Sequence, residues 1–109
     1  MPDRGDTLAE EIQSLIRVLQ DGDSTARMSA ARSLADLGSL ALRDLAAALR
    51  AGDPRLRMWA AYTLGLIGDP LALQPLIRAA EDEDPGVRRW ALAACERIAS
   101  GRCRCKFCR

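Results

Sequence analysis

The feature that most constrains this chain is a repeat in its own sequence. The stretches DSTARMSAARSLADLG (23–38), DPRLRMWAAYTLGLIG (53–68) and DPGVRRWALAACERIA (84–99) align without gaps. Asp23, Asp53 and Asp84 fall at intervals of 30 and 31 residues, and Arg27, Arg57 and Arg88 keep the same intervals. Behind them run the columns Ala26/Leu56/Val87, Ala30/Ala60/Ala91, Leu34/Leu64/Cys95 and Leu37/Ile67/Ile98. Their offsets of 0, +4, +8 and +11 describe one stripe of an α-helix. Each aspartate is placed to cap a helix, Pro54 and Pro85 fit the first helical position, and Gly38 and Gly68 fall where helix-ending glycines belong.

A second helix type lies between these units, in SLALRDLAAALRAG (39–52) and DPLALQPLIRAAED (69–82). TLAEEIQSLIRVLQDG (7–22) matches it upstream, with Leu15, Leu45 and Leu76 in register. Writing the first type A and the second B, the order is B-A-B-A-B-A. Neither helix of such a pair can bury its apolar stripe alone, so the pairs must stack. Composition agrees: Leu and Ala supply 35 of 109 residues, whereas Val, Ile, Phe, Tyr and Thr are scarce. The expectation is an all-α chain, a short right-handed α-solenoid of six antiparallel helices in residues 7–100. An N-terminal tail (1–6) precedes it and a cysteine-rich basic tail (101–109) follows.

The pattern D-P-x-V-R-x-x-A-A-x-x-L-G-x-I-G followed by D-x-x-A-x-x-P-L-I resembles the short HEAT-like repeat of the phycobilisome-lyase type. Residues 53–85 are the closest unit. The T-P-L-H and W-x-x-L-G signatures of ankyrin and tetratricopeptide repeats are absent. The resemblance implies a protein-binding scaffold first and an enzyme framework second. Bilin-lyase-like activity fits less well, since the chain has four aromatic residues and about half the repeats expected around a tetrapyrrole groove. The absence of His excludes the hydroxylases that hold iron through His and Glu on such repeats, and it removes the usual general base. No Gly-rich phosphate loop or nucleophile elbow is present.

Two candidate partner surfaces follow from the alignment. The outward positions of the central A helix read Met58, Tyr62 and Leu66, with Trp59 beside them and Met28 in the Met58 column. The stripe reads either as a docking or self-association patch or as scattered surface apolar residues; Trp59 and Trp90 are expected to pack as core between adjacent A helices. On the B helices, Arg17, Arg43, Arg50 and Arg78 stand in a row opposed by Glu81, which on a concave face would suit an acidic peptide or protein. The alternative is a solvated charge row. The expected partner is another protein or a second copy of the chain.

Cys95 holds the column of Leu34 and Leu64, and Cys103, Cys105 and Cys108 crowd the tail. A turn is expected at Gly101, after which Phe107 could plug the end of the solenoid while the thiols stay free. Alternatively the four cysteines could bind a structural zinc or an iron–sulfur cluster, although C-x₇-C-x-C-x₂-C is not a regular ligand spacing. Disulfides rank third, because no secretory signal is visible and a reducing, cytoplasmic setting is expected. Formal net charge is +1, distributed as −3 over residues 1–100 and +4 over the tail. Four tail charges without a reading surface give nucleic acid only weak, salt-sensitive attraction. No apolar run reaches the ~18 residues of a membrane span.

Overall fold

The computed structural model describes the backbone of residues 4–102 and the side chains of residues 8–100. Six α-helices occur among the described residues, with no strand. They are α1 (Arg4–Asp21), α2 (Ser24–Leu37), α3 (Ser39–Ala48), α4 (Pro54–Ile67), α5 (Leu73–Ala79) and α6 (Pro85–Arg102), with a 3₁₀ turn, Pro70–Ala72, ahead of α5. None is long and apolar enough to cross a membrane.

The helix starts follow the aspartate column. Asp23 accepts from the Ala26 N–H at 2.8 Å, Asp53 from Arg55 at 2.9 Å, and Asp84 from Gly86 at 2.8 Å and Val87 at 3.2 Å. Each satisfies backbone donors that the first helical turn leaves without partners. The stops follow the glycines: Gly38 and Gly68 have φ of 59° and 74°, a region only glycine enters without strain. At Gly38 the chain turns from α2 into α3 within one residue.

The stripes then meet. α2 packs on α4 and α4 on α6, forming a layer of A helices, while α1, α3 and α5 form the B layer. Leu19, Leu34, Leu45, Leu64, Leu76, Val87 and Ile98 are fully buried between the layers. Gly65 lets α4 and α6 approach closely, since a Cβ there would stand 3.1 Å from Ala94 Cβ. Thr63, a buried polar side chain, donates back to the Trp59 carbonyl at 2.8 Å and so leaves no unpaired hydroxyl in the core.

Two expectations are corrected. The stretch 69–82 is not one continuous helix. Pro75 has no N–H to give to Leu71, and its ring would clash with that carbonyl in an α-helix. Residues 70–72 therefore take a 3₁₀ turn capped by Asp69, whose side chain accepts from the Leu71 N–H at 2.9 Å. The chain also does not turn at Gly101, because α6 continues to Arg102. A glycine inside a helix costs about 1 kcal/mol, too little to stop one by itself.

Candidate interaction surfaces

In the second and third repeats the arginine column shapes the loops that lead into the A helices. Arg57 Nη1 donates to the carbonyls of Ala51 (2.7 Å) and Gly52 (3.1 Å), six and five residues back. Arg88 Nη1 repeats the pattern on Asp82 (2.8 Å) and Glu83 (3.1 Å). Arg57 also reaches across to the next loop, where Nη2 donates to Asp82 Oδ1 at 3.0 Å and Nε lies 2.8 Å from Oδ2. The Asp84 N–H donates to the same carboxylate at 2.8 Å. Burial pushes the Asp82 carboxyl up, but the Asp84 N–H, Arg57 and Arg88 outweigh it and hold the group below the usual carboxylate range. The aspartate caps and the loop bonds of Arg57 and Arg88 give these residues a structural role.

While the A helices pack closely, α3 and α5 make no comparable contact. The space between them is an open groove of about 1030 Å³. Arg43 and Arg50 line it from the α3 side and Gln74 and Arg78 from α5, and the Arg57–Asp82 pair lines it as well. Arg43, Arg50 and Arg78 are exposed, and among the described residues none of the three is in an ion pair. Three of the four expected arginines are thus brought together. Arg17 is exposed on α1 and does not line the groove.

The A layer carries a second, smaller depression of about 250 Å³, lined by Met28, Met58, Trp59, Tyr62 and Trp90. Tyr62 stands edge-to-face with both indoles, at centroid distances of 5.5 Å from Trp59 and 5.3 Å from Trp90. Here the sequence reading needs correction. Met58, Tyr62 and Leu66 are half-buried against the core rather than a free outward stripe, and Leu66 does not line the depression. Trp59 is half-buried, while Trp90 is 38% exposed and forms a wall instead of a core residue. Met28 is 44% exposed.

Cys95 is half-buried beside the core, where Leu34 and Leu64 are fully covered. Burial, assisted by the Glu96 charge, pushes its thiol up. Cys103, Cys105 and Cys108 lie outside the described residues, so the expected four-cysteine set and the Phe107 plug do as well. Among the described residues no three His, Cys, Asp or Glu side chains gather in a way that could hold a metal ion.

The profile of HEAT repeats matches residues 12–96, which runs from within α1 to within α6. The chain belongs to the HEAT repeat family. The six helices of the described residues are HEAT-like pairs, and the family implies a general protein-interaction scaffold. No curated protein matches this HEAT module.

Proposed function

We propose that this HEAT module is a docking unit whose concave, B-helix groove holds an acidic segment of a protein partner. One observation carries the reading: Arg43, Arg50 and Arg78 converge on one open groove without a carboxylate partner among the described residues. Within the groove Arg57 is neutralised by Asp82, and Glu83 offsets one further charge. The remaining excess is positive. Guanidinium groups present paired donors that match carboxylates, so a Glu- or Asp-rich segment is the complementary ligand. The pattern in residues 53–85 resembles the short phycobilisome-lyase-type repeat, a likeness that supports the repeat length rather than an activity.

Calorimetric titration with a Glu-rich peptide that lacks large apolar residues tests the reading. Binding is expected to weaken as sodium chloride rises, and to fall by about tenfold or more in an Arg43→Glu/Arg50→Glu/Arg78→Glu variant. Equal affinity for the variant, or for a Lys-rich peptide, would rule it out.

A further inference from the structure

We infer that the aromatic depression in the A layer is a second docking site, seating one bulky apolar side chain from a partner segment flanked by carboxylates. Its size selects the class of occupant. At about 250 Å³ it is smaller than the ~300–1,000 Å³ of pockets that engulf a whole small molecule, and it suits a single anchoring side chain.

The walls fit that role. Tyr62 is fixed between Trp59 and Trp90 by two perpendicular ring contacts, at interplanar angles of 87° and 85°. Rigid aromatic walls lose little conformational entropy on binding, and the Met28 and Met58 thioethers adapt to the shape of what enters. The fold does not require aromatic residues here. Ser29 holds the same column in α2 and is exposed, whereas Trp59 and Trp90 hold it in α4 and α6.

Exposed charges within about one turn of the lining residues on the same helices set the charge of the partner. Arg32 occupies in α2 the column of Tyr62, and Arg89 occupies in α6 the column of Met58; Arg55 lies one turn before Met58 on α4. All three are exposed, and among the described residues none is in an ion pair. A cluster of two tryptophans and a tyrosine would otherwise attract a cation, but these nearby arginines oppose one. The apolar anchor therefore comes with acidic neighbours.

Both tryptophans of the chain line the site, so intrinsic fluorescence reports on it directly. The probes are two helix-forming peptides without tryptophan, each carrying adjacent-turn Leu and Phe, one flanked by Glu and the other by Lys. The Glu-flanked peptide is expected to shift the emission to the blue and saturate, and the Lys-flanked peptide to bind about tenfold more weakly or worse. Trp90→Ser, confirmed as helical by circular dichroism and carried in the Arg43→Glu/Arg50→Glu/Arg78→Glu background so that the B-helix groove takes no acidic peptide, should abolish saturable binding of the Glu-flanked peptide in calorimetry; Met28→Glu in that background should do the same by fluorescence if the tryptophan variant does not fold. Absence of any response to the Glu-flanked peptide would overturn the inference, as would equal binding of the two peptides. So would a blue shift that grows with protein concentration alone and accompanies a doubled mass in sedimentation, since a second copy would then be the occupant.

Discussion

Arg57 and Asp82, separated by 25 residues in sequence, lock successive loops together, with Arg57 Nε 2.8 Å from Asp82 Oδ2. The same guanidinium holds the Ala51 and Gly52 carbonyls of its own loop. One side chain thus fixes how the second A helix meets the third, and the pair lines the groove.

Asp82→Asn keeps the shape of the side chain and removes its charge. At neutral pH it is expected to cost about 1–2 kcal/mol, the range of a partly buried charge-assisted contact. The Asp82 carboxyl is held below its ordinary range in the folded chain, so its stabilising contribution is complete above the unfolded value of about 3.9. It is lost as pH falls through the lower, folded value. Urea denaturation of both proteins from neutral pH downward should therefore show a constant gap that closes below about pH 4. A gap that widens on acidification would contradict the assignment.

Gly65 and Ala94 set the spacing of α4 and α6. Gly65→Leu forces a branched side chain into that contact, where even a Cβ lies 3.2 Å from the Ala94 Cα. A loss of about 2 kcal/mol or more is expected from overpacking. Gly52 faces open space, and Gly52→Ala should stay within about 0.5 kcal/mol of the parent. Thermal melts of the two variants check the contrast, and similar effects at both sites would refute the stacking geometry.

Cys95 is expected to be a slow thiol. Burial first, and Glu96 second, raise its proton affinity, so little thiolate is available near neutral pH. In a Cys103→Ser/Cys105→Ser/Cys108→Ser background, alkylation by iodoacetamide should run roughly severalfold slower than for a free thiol. Glu96→Gln should accelerate it. A rate equal to that of glutathione would mean that the half-buried position is wrong.

The fold was largely legible because its punctuation is local. Asp23, Asp53 and Asp84 each bond to backbone donors two or three residues on, so the repeat interval alone locates the A-helix starts. Pro75 also carried a local signal, and its conflict with the Leu71 carbonyl explains why the 69–82 segment begins as a 3₁₀ turn. The surfaces were harder to read. Arg43 and Arg78 are not in the same repeat column, and they line one groove because α3 and α5 stand apart while the A layer packs closely. Arg17 obeys the same sequence row but sits on α1, outside that gap. Trp90 shares its column with Trp59, and the alignment alone does not reveal that its outer face meets solvent.

The concave groove is tested most directly by two-dimensional amide NMR of labelled protein titrated with the Glu-rich peptide. Shifts clustered along residues 43–50 and 74–78, together with the Nε–H signals of Arg43, Arg50 and Arg78, are the predicted result. A spectrum that does not move, or one whose changes are confined to the A helices, would contradict the docking role assigned to the groove.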